Sequence, residues 1–186
     1  SDYFQATRGG GHGDYHMIVL TPASVQEMAE LTIKGFDLAD KYRTPVMILA
    51  DGTIGQMMEP VSFDFAVNEV PEKPWATTGT QMKREHNIVN SLYLKPADLE
   101  VTNLERYKKY DEIIKNEPLC EEYMTEDADI ILCAFGIAAH VSKNAVNEAR
   151  KQGIGKKLIQ SLVKDSVENG CEGRIILLAG CDGGGA

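Results

Sequence analysis

The stretch that decides the fold of this 186-residue chain is His16-Met17-Ile18-Val19-Leu20-Thr21-Pro22-Ala23-Ser24-Val25-Gln26-Glu27. Its first five residues form a mostly apolar run, which predicts a buried strand. Ser24 and Glu27 have the spacing of a capping box, in which the serine oxygen and the glutamate carboxylate accept hydrogen bonds from backbone amides at the start of a helix. The stretch therefore predicts a strand that is followed by a capped helix.

Apolar residues recur at helical spacing after the capping box, and charged residues occupy the positions between them. The predicted buried face contains Met28, Leu31, Thr32, Phe36, Leu38 and Ala39. The helix should end before Pro45, because proline disfavours the helical conformation in the residue before it. A second apolar run at 46–50 then predicts another strand. Strand, helix and strand form a β-α-β unit, and uninterrupted apolar strands indicate an α/β fold with a parallel sheet.

Ligands of parallel sheets bind beyond the carboxyl ends of the strands. Asp51 and Gln56 follow the second predicted strand and are therefore candidate binding residues, although Asp51 has the alternative role of capping the turn after it. The glycine-rich stretch 9–15 precedes the first strand and contains His12. Its backbone can lie close to a ligand, and the alternative is a flexible surface loop with a solvated histidine.

Composition excludes several classes of function. The formal net charge of −9 argues against a nucleic-acid-binding surface and against an anionic membrane surface. No apolar run approaches the ~20 residues of a transmembrane helix, and the first residues lack the pattern of a secretory signal. The cysteines show no Cys-x-x-Cys spacing, so we expect no zinc or iron–sulfur ligands here, and we expect reduced thiols in a cytoplasmic protein. They are Cys120, Cys133, Cys171 and Cys181.

The middle of the chain is predicted to connect two units. Prolines punctuate the residues up to Pro96, which indicates an extended crossover. Residues 97–124 predict a charged helix that is interrupted near Pro118 and docks through an apolar stripe. The stripe consists of Leu99, Leu104, Tyr107, Ile113 and Ile114.

A second α/β unit is predicted to begin near residue 126. Residues 130–135 predict a buried strand with Cys133 in the core, and residues 138–152 predict a helix that ends at Gly153. The predicted division of the chain is therefore 1–60, 61–125 and 126–186.

Several stretches together resemble one family, the α subunits of 2-oxoacid:ferredoxin oxidoreductases, and within it the branched-chain type that acts on 2-oxoisovalerate. The similar stretches are 1–6, 9–15, 21–28, 37–52, 55–61, 90–94 and 123–128, and the similarity continues to about Gly153. The resemblance implies that 1–60 is the last part of the pyrimidine-binding domain of a thiamine-diphosphate enzyme. It also implies that residues from 126 onward open a unit similar to the C-terminal domain of transketolases.

The resemblance further implies a reaction, cofactors and partners. The family decarboxylates a 2-oxoacid on thiamine diphosphate, forms an acyl-CoA from coenzyme A, and passes electrons to ferredoxin. A β subunit would carry the site for thiamine diphosphate and magnesium, and γ and ferredoxin-like subunits would complete the complex, with iron–sulfur clusters on a partner only. The glutamate that activates thiamine in this family lies in a segment before the present sequence, so we expect the chain to be inactive alone.

For the site itself, the resemblance implies that His12 faces the substrate as a catalytic residue. A neutral imidazole there can hydrogen-bond the 2-oxoacid, and flexible neighbours allow backbone amides to approach its carboxylate. These neighbours, the substrate or cofactor loop, are Gly10, Gly11, Gly13 and Asp14, with Asp51 and Gln56 beyond the second strand. No metal ligand is expected within the chain.

After Gly153 we expect the sequence to depart from the family. Arg150, Gly153 and Gly155 have the Arg-x-x-Gly-x-Gly spacing that resembles the coenzyme-A pyrophosphate loop of GNAT acetyltransferases. Glycines at a positive helix N-terminus can bind a pyrophosphate through exposed amides. Three alternatives remain open at this point: a simple Gly-x-Gly turn between helices, a chimeric reading frame, and a non-catalytic remnant that only packs on a partner subunit.

Overall fold

The computed structural model describes residues 2–9, 15–65, 72–126, 128 and 131–152. Four helices, two strands and one short 3-10 helix lie within these ranges. In chain order they are α1 (Asp2–Arg8), β1 (Ile18–Leu20), α2 (Val25–Tyr42), β2 (Val46–Ile48), the 3-10 helix (Ile54–Gln56), α3 (Pro96–Asn116) and α4 (Gly136–Lys151).

The predicted β-α-β unit is confirmed. Strands β1 and β2 pair in parallel, with Ile18 opposite Val46 and Leu20 opposite Ile48. The ladder extends by one bond, because the amide of Leu49 donates to the carbonyl of Leu20 at 2.9 Å. Helix α2 connects the strands and ends at Tyr42, before Pro45 as predicted.

Helix α2 begins at the predicted capping residues, with one difference in the bonding. The amide of Glu27 donates to Ser24 Oγ at 3.1 Å, as in a capping box. The Glu27 carboxylate accepts from the amide of Ala23 at 2.8 Å, one residue before the position that the motif predicts. A serine cap of this kind stabilises a helix by about 1 kcal/mol.

The core lies between α2 and the two strands. Ile18, Leu20, Leu38 and Tyr42 are buried together, and Ile113 of α3 packs against them. The prediction that Thr32 and Phe36 face this core is wrong, since Thr32 is exposed and the Phe36 side chain is 73% exposed. The buried positions Leu38 and Tyr42 are four residues apart on one face, and successive helical residues are rotated by about 100°, which turns Phe36 away from that face.

Helix α3 is shorter than predicted and docks through a different face. It ends at Asn116, before Pro118, so the predicted extension to residue 124 is wrong. The predicted apolar stripe is largely exposed, with Leu104 at 59% and Ile114 at 71%. Tyr110 is the buried residue instead, and only Ile113 of the predicted stripe packs against the core cluster.

The helix of the second predicted unit is present as α4. The predicted strand is absent from the described residues 131–135. Residues 131–135 form no strand, Ile131 is 62% exposed, and Cys133 is an exposed free thiol. Both expectations, a buried strand and a core cysteine, are therefore wrong for these residues. In the described ranges the sheet contains only β1 and β2, so this apolar run has no strand beside it.

Two further observations concern the composition-based expectations. Cys120 is disulfide-bonded, so the expectation of reduced thiols is wrong at that residue. Within the described ranges, no helix has both the length and the apolar character that crossing a membrane would need.

Candidate functional site

The glycine-rich stretch before β1 lies only partly within the described residues. Outside them fall Gly10, Gly11, His12, Gly13 and Asp14, and also Gly153 and Gly155 of the predicted coenzyme-A loop. The flanks of the first stretch are described, and they approach each other. Gly9 has a φ of 82°, and a Cβ on it would lie 3.2 Å from the backbone oxygen of Tyr15. Glycine at residue 9 thus allows a backbone conformation and a close approach that a larger residue would strain.

His16, which follows this stretch, packs against α3. Its ring centroid lies 5.1 Å from that of Tyr110 and 6.0 Å from that of Tyr107, and the two tyrosine rings are 5.7 Å apart. All three pairs are edge-to-face, a geometry that contributes about 0.5–1.5 kcal/mol beyond burial. Helix α3 therefore packs against the segment that leads into β1.

Asp51, the candidate binding residue after β2, forms a long-range hydrogen bond. Its Oδ2 accepts from the amide of Ile137, in the first turn of α4, at 2.7 Å. A carboxylate at this place accepts a hydrogen bond from one of the otherwise unpaired amides of a helix N-terminus. Its negative charge also interacts favourably with the positive end of the helix dipole. The structure thus gives Asp51 a capping role, although it caps a helix far along the chain and not the turn that follows it.

Gly136 makes this contact possible. It has a φ of 60°, and a Cβ built on it would overlap the Asp51 carboxylate. The pair therefore requires glycine at 136. A ligand-binding role of Asp51 stays a prediction, and any such role would compete with its bond to α4.

Gln56, the other candidate beyond β2, lies in the 3-10 helix and is exposed. The turn is closed by the amide of Gly55, which donates to the carbonyl of Asp51 at 3.0 Å. Ile54, between them, is only 2% exposed and anchors the turn in the protein. Asp51 and Gln56 therefore lie on one anchored turn at the carboxyl end of β2, and the predicted binding role of Gln56 stays a prediction.

A second carboxylate, Glu59, was not predicted from the sequence. Its Oε2 accepts from the amide of Val25, the first residue of α2, at 3.0 Å. Nearby, Gln26 and Ser62 exchange two hydrogen bonds of 2.9 and 3.1 Å. The segment after β2 therefore closes over the start of α2. The only sequence signal for this contact is the general need of a helix N-terminus for hydrogen-bond acceptors.

Arg150, predicted to belong to a coenzyme-A loop, binds the protein backbone. Its guanidinium donates to the carbonyl of Met124 at 3.0 Å. On the same side of α4, the hydroxyl of Tyr123 donates to Asn147 Oδ1 at 2.5 Å. These bonds fasten α4 to the residues that precede it.

An ion pair with an additional hydrogen bond joins the end of α2 to the end of α3. Lys41 Nζ and the Tyr42 hydroxyl both donate to Glu117 Oε1 at 2.5 Å. Burial acts to raise the pKa of Glu117, but the two hydrogen bonds outweigh it and hold this pKa below its usual range. The hydrogen bond with Glu117 raises the pKa of Lys41, and the neighbouring Tyr42 hydroxyl raises it further. In the described residues, no three His, Cys, Asp or Glu side chains converge as a metal site would require.

Comparison with known proteins decides the family. Residues 1–124 match the family model described as pyruvate flavodoxin/ferredoxin oxidoreductase, thiamine diP-bdg. The chain belongs to this family. The match covers the β-α-β unit and α3, and with them the turn of Asp51 and Gln56. The resemblance to an oxidoreductase family, the α/β fold and the connection to thiamine diphosphate are therefore confirmed.

Two curated relatives from methanogens match most of this oxidoreductase-family chain. It is 44% identical to the ketoisovalerate oxidoreductase subunit VorB of Methanothermobacter marburgensis, over 92% of this chain and 51% of the relative. It is 41% identical to the subunit of the same name from Methanothermobacter thermautotrophicus, over 91% of this chain and 51% of the relative. The chain thus spans about half the length of these relatives. No solved structure matches it.

The same comparison corrects the expected departure after Gly153. The stretch 154–186 is a larger part of the chain than the 8% that the first alignment leaves uncovered, so the similarity necessarily extends into this stretch. The expectation that the family similarity ends at about Gly153 is therefore wrong. The acetyltransferase alternative is not favoured.

Proposed function

We propose that this chain is a subunit of a 2-oxoacid:ferredoxin oxidoreductase, an enzyme that converts a 2-oxoacid and coenzyme A into an acyl-CoA and carbon dioxide while ferredoxin is reduced. The observation that carries this proposal is the family match over residues 1–124. The chain spans about half the length of its relatives. We propose that the activity belongs to an assembly of subunits and not to this chain alone.

We propose a branched-chain 2-oxoacid such as 2-oxoisovalerate as the substrate. Two relatives from one organism, Methanothermobacter thermautotrophicus, support this choice. The chain is 41% identical to the ketoisovalerate oxidoreductase subunit of that organism, and 28% identical to its 2-oxoglutarate synthase subunit KorA, over 83% of this chain and 48% of that relative. The two substrates differ in their side chains, one being apolar and branched and the other carrying a carboxylate.

The proposed catalytic region is the glycine-rich stretch. Thiamine diphosphate, when bound, supplies the carbon nucleophile for attack on the 2-oxoacid. His12 would donate a hydrogen bond to the 2-oxoacid, and the amides of Gly10, Gly11, Gly13 and Asp14 would approach its carboxylate. The closeness of Gly9 to Tyr15 supports this proposal, because it brings the two flanks together directly before β1.

The remaining parts of the reaction are proposed to lie on partners. A β subunit would hold the diphosphate and magnesium, γ and ferredoxin-like subunits would carry the iron–sulfur clusters, and the assembly would be cytoplasmic. For this chain we propose the division 1–60, 61–125 and 126–186, with the last part similar to the C-terminal domain of transketolases.

The test is affinity capture of the tagged chain from its native cell, followed by an assay of viologen reduction that depends on coenzyme A. We expect co-purified subunits with iron–sulfur absorbance and activity with 2-oxoisovalerate well above that with 2-oxoglutarate. Activity restricted to 2-oxoglutarate would overturn the substrate proposal. Capture of an assembly that reduces no viologen with any 2-oxoacid would overturn the oxidoreductase proposal.

A further inference from the structure

Three cations cluster where α3 crosses the end of α2: Arg43, Arg106 and Lys109, called here the basic cluster. Lys109 Nζ donates to Thr44 Oγ1 at 3.0 Å and to the carbonyl of Arg43 at 3.4 Å. Burial lowers the pKa of Lys109, and the charges of Arg106 and Arg43 lower it further. Arg106 lies three residues before Lys109 on α3, so the two share one face of the helix, and Lys109 contacts the backbone of Arg43. The three residues therefore lie together.

No carboxylate in the described ranges neutralises the basic cluster. None of its three side chains has a carboxylate oxygen of a described residue within 4 Å, whereas Lys41, Lys73 and Lys143 each do. Asp40, three residues before Arg43, is paired with Lys73 at 2.6 Å. In a chain of net charge −9, a group of three cations without an acidic partner is unusual, since mutual repulsion destabilises it.

Arg43 is held in a conformation that is costly for its residue type. It ends α2 with a φ of 46°, in the left-handed region that helix ends commonly give to glycine. Its guanidinium lies over the ring of Trp75, 4.6 Å from the centroid. Strain of this kind persists where a side chain is needed at that place. Lys109 donates to the end of α2, and the Arg43 guanidinium lies over Trp75. A guanidinium over a ring still presents its in-plane N–H groups as hydrogen-bond donors.

The Thr44 hydroxyl completes the arrangement. Thr44 is a polar residue that is only 7% exposed, and its oxygen accepts the bond from Lys109. A hydroxyl that accepts one bond retains its own hydrogen as a donor. Two guanidinium groups, one ammonium and one hydroxyl are the donor set that proteins use for phosphate oxygens.

We propose that the basic cluster, together with Thr44, binds a phosphate group. The group belongs either to inorganic phosphate or pyrophosphate, or to a nucleotide. This inference uses only the contacts of the described residues and does not depend on the proposed oxidoreductase function.

The test is calorimetric titration of the full chain, in the assembly in which it purifies, with pyrophosphate and separately with ADP at constant ionic strength. We expect binding that weakens about tenfold or more in Arg106→Gln, the effect of losing one charge-assisted hydrogen bond. Lys108→Gln removes the same charge from the exposed neighbouring residue, and we expect it to change binding less than twofold. Tighter binding of ADP than of pyrophosphate would identify a nucleotide.

Arg43→Gly separates a binding role from a structural role. Glycine relieves the left-handed strain but loses the contact with Trp75, and these opposing effects are of similar size. We therefore expect a nearly unchanged Tm together with pyrophosphate binding at least about tenfold weaker. The proposal is overturned if the wild-type chain binds neither pyrophosphate nor ADP. It is equally overturned if Lys108→Gln weakens binding as much as Arg106→Gln, or if Arg43→Gly leaves binding unchanged.

Discussion

Two regions of the molecule contain an apolar run followed by an amphipathic helix, and they differ in what completes them. In the first, β1 runs beside β2, Leu20 is only 6% exposed, and α2 is capped by the nearby Ser24. In the second, residues 131–135 form no strand, and α4 is capped by the distant Asp51. An apolar run thus becomes a strand where a neighbouring strand can accept its hydrogen bonds, and otherwise its position depends on long-range contacts.

The largest expected effect is a loss of core packing in the first region. Leu38→Ala removes a side chain that is 4% exposed between α2 and the strands. We expect it to lower the free energy of unfolding by about 2–5 kcal/mol, measured by urea denaturation. Phe36→Ala, on the exposed face of the same helix, is the matched control and should change it by about 0.5 kcal/mol or less. Equal losses in the two variants would contradict the packing described here.

Gly136→Ala should have the next largest effect, and it acts on the second region. The new Cβ requires a left-handed alanine and displaces the Asp51 carboxylate. We expect a loss of about 2 kcal/mol in the free energy of unfolding, from strain and from the lost cap together. In the double variant Asp51→Ala/Gly136→Ala, the combined loss should be smaller than the sum of the single losses, because both remove the same hydrogen bond. Strict additivity would contradict the contact.

The two caps should act on different helices. Ser24→Ala and Asp51→Ala should each cost about 1 kcal/mol. Hydrogen exchange should localise the loss to the first turn of α2 in one variant and to the first turn of α4 in the other. Faster exchange in α4 after Ser24→Ala, with α2 unchanged, would reverse the assignment.

The smallest expected effect is the pH dependence of the Glu117 contact. The pKa of Glu117 is lowered in the folded protein. The stabilisation that ionised Glu117 gives the folded state is therefore complete above the ordinary glutamate pKa of about 4.3, and it is lost as the pH falls through the lower folded value. The pKa of Lys41 is raised in the folded protein. The stabilisation that charged Lys41 gives the folded state is therefore lost only as the pH rises through that higher value. Glu117→Gln should lower the free energy of unfolding by about 1 kcal/mol at neutral pH and by less in acid. A loss that is the same in acid and at pH 7 would contradict the lowered pKa.

The features that depend on neighbouring residues could be predicted from the sequence. Ser24, Glu27 and Pro45 act within one turn of the helix ends that they define, so both ends of α2 were predictable. The bonds of Asp51 to α4 and of Glu59 to α2 span 86 and 34 residues, and no local pattern indicates them. The error at 131–135 has the same origin, because an apolar run does not reveal whether a strand lies beside it.

In the candidate site, too, some features could be predicted from the sequence and others depend on long-range contacts. The resemblance to the oxidoreductase family rested on several separate stretches, and the family match confirms it. The capping bond of Asp51 could be found only in the structure, and it distinguishes this residue from His12, whose proposed role is contact with the substrate.

The most direct test of this account compares His12→Ala and Asp51→Ala in the assembly captured through this chain, with kcat, KM for 2-oxoisovalerate and Tm measured for each. We expect His12→Ala to lower kcat/KM about a hundredfold, the usual range for a lost proton-transfer or hydrogen-bonding group, with Tm unchanged. Asp51→Ala should lower Tm and leave KM nearly unchanged. Full activity in His12→Ala, or a KM effect in Asp51→Ala without a change in Tm, would contradict the assignment of chemistry to the glycine-rich stretch and of structure to Asp51.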